Sequence, residues 1–125
     1  MKKVKQAFLD SILKQGEHYA GIILGKDGAP DHHLILLPDE AIDINWENAK
    51  KFAAKAGGKL PDRREQSLLF ANLKEHFKGR WYWSGEQHAS DSNYAWHQYF
   101  GYGHQFNSSK SYEGCARAVR RVVIE

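Results

Sequence analysis

The residues of this 125-residue chain with chemistry to offer are seven histidines, one cysteine and a basic cluster near the C-terminus. The histidines are His18, His32, His33, His76, His88, His97 and His104, and none has the tight local spacing, such as HExxH, that gathers three or four ligands on a zinc ion. His97 and His104 could meet across a hairpin with Asp91 or Glu86. Solvent-facing polar side chains are the simpler expectation, and neither a metal nor any other cofactor is expected. Cys115 has no second cysteine to pair with. A lone thiol becomes a nucleophile only beside a base and with a lowered pKa. Cys115 adjoins an apolar strand pattern, so its expected role is packing. There is no GxSxG elbow and no Walker-type phosphate loop, because the Gly25-Lys26 pair lacks the preceding glycines. Arg117, Arg120 and Arg121, with Lys110 and Arg80, could meet phosphates. On a strand, however, Arg117 and Arg121 share one face and Arg120 the other. Internal pairing with acids such as Glu65 or Glu86 is therefore expected ahead of one continuous basic stripe.

The stretch from Asn93 to Tyr112 is more informative. If Trp96 and Phe100 point inward, a period of two sends His97 and Tyr99 outward, beside the Gly101-Tyr102-Gly103 turn. His104, Phe106, Asn107, Ser108 and Tyr112 follow. Rigid rings give contact area at low entropic cost and short polar groups give directional hydrogen bonds, the mixture found in adaptable recognition surfaces. The ligand-binding set read from the sequence is thus His97, Tyr99, Tyr102, His104, Phe106, Asn107, Ser108 and Tyr112.

These residues need a scaffold. Val4, Phe8, Ile12 and Leu13 recur at helical spacing, with Gly16 as a stop. Residues 19–24 and 33–37 are apolar runs around the turn-rich Gly25 to Asp31, which predicts a hairpin closed by Pro38. Trp46, Ala49, Ala53 and Ala56 predict a second helix capped by Asn45 and ended by Gly57-Gly58. Asp62 and Glu65 form a capping box that starts a third, whose buried stripe is Leu69, Leu73 and Phe77, with Leu68 beside it. From Trp81 to Tyr112, 32 residues hold ten of the sixteen aromatics but only three charges, Glu86, Asp91 and Lys110, which argues against long helices and for short strands joined by loops. Ala116, Val119 and Val122 among the arginines predict a last strand.

Composition bounds the rest. With 42% hydrophobic and 26% charged residues, one domain over 1–125 is expected. The net charge of +3 is too mild to establish a nucleic-acid partner. No run approaches a membrane-spanning length, and Met1-Lys2-Lys3-Val4-Lys5 leads into an acid-containing amphipathic stretch, not a signal-peptide apolar block. No membrane contact is expected, and a soluble protein, cytoplasmic when made, is.

In order and spacing, HHLILLP (His32 to Pro38), INWENAKKFA (Ile44 to Ala53), GGKLPDRREQSLL (Gly57 to Leu69), YWSGEQ (Tyr82 to Gln87), YAWHQYFGYG (Tyr94 to Gly103) and RAVRRV (Arg117 to Val122) cover most of the chain. Together they resemble the Lcl C-terminal-like domains of unknown function, often met in phage and prophage proteins, which adopt a C-type-lectin-like fold. The resemblance implies an α+β fold, with two main helices packed on a small antiparallel sheet and a long loop region carrying the ligand surface; the N-terminal helix expected from the spacing of Val4 to Leu13 comes in addition. The resemblance also implies that Trp83, Trp96 and Phe100 are core, that RAVRRV is the last strand, and that the protein is phage or prophage encoded; whether it is carried on a phage particle or acts inside a host cell is left open. In some relatives the corresponding region is diversified to change the partner. This chain lacks the paired cysteines of extracellular lectins. It also lacks the Glu-Pro-Asn, Gln-Pro-Asp and Trp-Asn-Asp motifs of calcium-dependent members, so calcium-dependent sugar binding is not expected. Formylglycine-generating enzymes share the broader fold but use two cysteines, and here the second is missing. The expectation is a non-catalytic module that recognises a protein or glycan. Nucleic-acid binding through the basic last strand is the alternative, with a Cys115-based enzyme behind it, and the oligomeric state is left open.

Overall fold

A computed structural model describes residues 2–125, with side chains from Lys3 onward. Helix α1 (Lys2–Ile12) precedes strands β1 (His18–Ile23) and β2 (His32–Ile44), then helices α2 (Trp46–Lys55) and α3 (Arg63–Leu73). A short 3-10 turn (Lys74–His76) leads to β3 (Trp81–Gln87), β4 (Tyr94–Tyr99), β5 (Gln105–Ser109) and β6 (Gly114–Val123). Both helix starts form for the expected reason. The Asn45 side chain accepts from the Asn48 amide at 3.0 Å, and Asp62 and Glu65 exchange side-chain and backbone hydrogen bonds as a complete capping box.

The strands join in one sheet of order β1-β2-β6-β3-β4-β5 among the described residues. All neighbours are antiparallel except β3 and β6, which run parallel at Tyr82 and Cys115. The sheet is therefore mixed, where an antiparallel one was expected. The cause is that the chain returns to the middle of the sheet for its last strand. Alternation on β6 builds two cores. Cys115 and Val119 join Leu34, Leu36, Tyr82, Phe100 and α3's Leu69 and Leu73 on one face. Ala116 and Ala118 join Leu37, Trp83, Ala95 and α2's Trp46, Ala49 and Ala53 on the other. The helices thus cover opposite faces. Helix α1 lies on the α2 side, where Phe8 packs against Tyr19 and His33, and Val4 stays 74% exposed.

Three boundaries differ from expectation. Pro38 does not close β2, which runs on to Ile44. The proline falls where the ladder to β6 shifts register between Leu36 and Glu40, a bulge position at which a missing N–H is tolerated. Phe77 lies beyond α3 in extended backbone, which lets its ring stack on Phe100 at 4.0 Å. The long loop region is largely replaced by the β4–β5 hairpin, which pairs from Tyr94–Ser109 to Gln98–Gln105. No helix among the described residues is long and apolar enough to cross a membrane.

Candidate functional site

Helix α2 packs over β2, β6 and β3, and the sheet extends past it through β4 to the edge strand β5. On this uncovered stretch the rings form a continuous series. Phe106 sits opposite His97 in the β4–β5 register, with 6.3 Å between centroids. His104 is 5.7 Å from Phe106, Tyr102 is 6.0 Å from His104, and Tyr99 is 5.8 Å from Tyr102. Inward, His97 contacts Trp81 at 4.3 Å and Trp81 meets the buried Trp83 edge-on at 4.9 Å. The ladder is therefore rooted in the core at one end and free at the other, where Tyr102 is 77% and Phe106 53% exposed.

The turn that displays these rings depends on two glycines. The Tyr99 ring lies over Gly101, where an added Cβ would come within 2.6 Å of it. Gly103 takes φ +87°, a left-handed conformation that favours glycine, with the Phe70 ring beneath it. The Gly103 and Tyr99 amides close the turn onto the Tyr99 and His104 carbonyls at 2.7 and 2.8 Å.

Not every residue expected on this surface lies there. His97 does not point into solvent: it is 7% exposed, because β4 is an interior strand and Trp81 on β3 and Phe106 on β5 flank its ring. Its Nε2 and the half-buried Ser108 hydroxyl are 2.8 Å apart, its Nδ1 has no partner, and burial pushes its pKa down to about 4. His97 and Ser108 thus support the ladder from beneath. Tyr99 is half-buried under the turn. Asn107 pairs in register with Trp96 and so faces the opposite side of the sheet from Phe106. Tyr112, 61% exposed on the β5–β6 turn, has no ring contact with the ladder among the described residues. The site reduces to Tyr102, His104 and Phe106, with Tyr99 at its margin.

Trp96 is half-buried, although core was expected. It lies beside α3, covered by the Arg63 guanidinium at 3.6 Å and by His88, whose ring stacks on it at 5.4 Å. That stack gave no sequence signal, since residues 63, 88 and 96 meet only through the tertiary fold. The place of Trp81 in the ladder was also missed; its period-two spacing from Trp83 is the signal that could have found it. A cleft of about 440 Å³ between α2, β3 and β6, lined by Lys50, Leu60, Asp62 and Glu86 among others, had no motif to announce it.

The groups with reactive chemistry are engaged elsewhere. Cys115 is fully buried, and burial raises its thiol pKa. Arg120 pairs with Glu17 through bonds of 2.8 and 3.0 Å, and Arg121 with Glu65 through bonds of 2.6 and 2.7 Å. Arg117 is buried and donates to two backbone carbonyls. The internal pairing with acids expected of these arginines is present for Arg120 and Arg121 but not for Arg117, and among the described residues no continuous basic stripe runs along β6. No group of three or more His, Cys, Asp or Glu among the described residues is placed to hold a metal ion. No protein-family model matches the chain, and no curated protein matches it.

Proposed function

We propose that the chain is a non-catalytic recognition module of C-type-lectin-like fold. It binds a protein or glycan through Tyr102, His104 and Phe106, with Tyr99 at the margin and His97 and Ser108 as support. The observation that carries this reading is the ring ladder itself, in which exposed aromatics on the outer sheet are braced by contacts back to Trp81 and Trp83. Rings held before binding lose little entropy on contact, and aromatic anchors of this kind dominate interface energetics. The fold assignment is supported by two helices on opposite faces of a small sheet, by a last strand containing Arg117 to Val122, and by the buried Trp83 and Phe100. As in the family it resembles, the setting is a phage or prophage protein.

The test compares the chain with a Tyr102→Ala/Phe106→Ala double variant on an immobilised panel of bacterial-surface oligosaccharides and on a solubilised bacterial envelope protein fraction. The wild type is expected to bind a component of one panel in a saturable manner. The double variant should lose about 30-fold or more in affinity, matching the loss of a central aromatic anchor, with its unfolding midpoint little changed because both rings are exposed. Equal binding by both proteins would contradict the reading.

A further inference from the structure

A cation taken out of water normally brings a carboxylate with it, because a buried charge loses its hydration without compensation otherwise. Arg117 does not. It is 7% exposed on the α3 face of β6 and donates from Nη1 to the His76 carbonyl at 2.7 Å and from Nη2 to the Leu37 carbonyl at 2.8 Å, while its Nε–H has no acceptor. Glu40 is its direct cross-strand neighbour in the β2–β6 register, so an Arg–carboxylate fork is the arrangement that chemistry favours. Glu40 is drawn away instead. Its carboxylate accepts from the Tyr82 hydroxyl at 2.6 Å and pairs with the Lys78 ammonium at 3.1 Å. No carboxylate among the described residues forms a salt bridge with Arg117.

An open cleft of about 370 Å³, with Pro38, Glu40, His76, Phe77 and Lys78 in its walls, reaches Arg117 from solvent. His76, in the cleft wall, carries the His18 ring stacked on its own at 3.7 Å. The rings and the cation hold one another in place: the Arg117 guanidinium lies 5.4 Å from the Phe77 ring, which is itself stacked on Phe100. From this geometry we infer that the cleft is a binding site for the oxyanion group of a small ligand, a carboxylate or a phosphate. Arg117 supplies the uncommitted N–H donors, and Lys78 and His76 line the approach, with the His18 ring stacked on His76. Glu75 stands on the rim, two thirds exposed and 3.8 Å from the His76 ring nitrogen, and with Glu40 it limits the cleft to one compact oxyanion and repels a polyanionic chain.

The experiment titrates sodium sulfate, as the phosphate-like probe, and sodium acetate, as the carboxylate probe, at constant ionic strength set with sodium chloride. The Arg117 Nε–H resonance and the ring protons of His18 and His76 are followed by NMR. A saturable shift of these signals with at least one probe is expected, half-complete at about 1–10 mM, as suits a fragment-sized ligand. The stronger probe identifies the ligand class. Lys78→Gln removes a cation and releases Glu40 toward Arg117, so it should weaken the response at least about threefold while leaving the two cores untouched. Arg117→Lys should abolish the response. Should that variant fail to fold, Lys78→Gln carries the test. Shifts that stay linear and equal to those produced by chloride would overturn the inference, as would saturation unchanged in the Lys78→Gln protein.

Discussion

His97 shows how far a single position can be read from its neighbours. Strand parity correctly places it on the side opposite Phe100, but that side is solvent only if nothing flanks the strand, and Trp81 and Phe106 do. The burial of Trp83 and Phe100 was what the family resemblance implied, and Cys115 was readable as buried from the apolar strand pattern beside it. The half-buried Trp96 was not, because its cover comes from Arg63, 33 positions earlier. The burial of His97 has a measurable consequence. Its folded pKa of about 4 lies below the unfolded histidine value of about 6.5. The unfolded chain therefore binds the proton first, and the stability His97 contributes above pH 6.5 is lost as pH falls toward 4. Urea midpoints between pH 7.5 and 4.5 should fall, and His97→Gln should flatten that slope. Equal slopes in the two proteins would refute it. Cys115 provides a second check: a thiol reagent should react with it only on the timescale of unfolding, since it is buried with a raised pKa.

At the start of α3, one residue does the work of two elements. Glu65 completes the capping box, and its fully buried carboxylate also receives two bonds from Arg121 on β6 and lies 2.8 Å from the His32 ring on β2. Burial alone would raise its pKa, but the Arg121 and Asp62 hydrogen bonds outweigh it and hold the carboxyl below its ordinary value. Asp62→Ala should then cost about 1 kcal/mol, the usual value of an N-cap. Glu65→Ala, which strands Arg121 as well, should cost about 3–5 kcal/mol in denaturant unfolding. Similar losses from the two substitutions would show that the cap, not the ion pair, is what Glu65 contributes. The cap was readable from Asp62 and Glu65 alone, because capping is local. Which arginine the glutamate meets was not, because that depends on the register of β2 against β6. The same limit applies to the ends of β2 and α3, where Pro38 and Phe77 obey the tertiary packing over the local rule.

Across the whole molecule, the long-range pairing order β1-β2-β6-β3-β4-β5 organises both cores and the exposed ladder. The individual helices and strands followed from helical and alternating periodicities, and the α+β class that the resemblance implied is the one observed. The mixed sheet did not, because nothing local to Gly114–Val123 states that this strand inserts between β2 and β3. The surplus of rings between residues 81 and 112 was readable as more than a core can hold, whereas their division between the two sheet faces emerged only with the β4–β5 register. That division also supplies an internal control, since Tyr102 belongs to the ladder while Tyr112, almost as exposed, stands apart from it. The most direct measurement is tyrosine nitration with tetranitromethane, read residue by residue by mass spectrometry, with and without a saturating amount of whichever oligosaccharide or envelope protein the chain binds. Protection of Tyr102 with Tyr112 left reactive is the expected result; protection of Tyr112 with Tyr102 as reactive as in the free protein would contradict the assignment of the recognition surface.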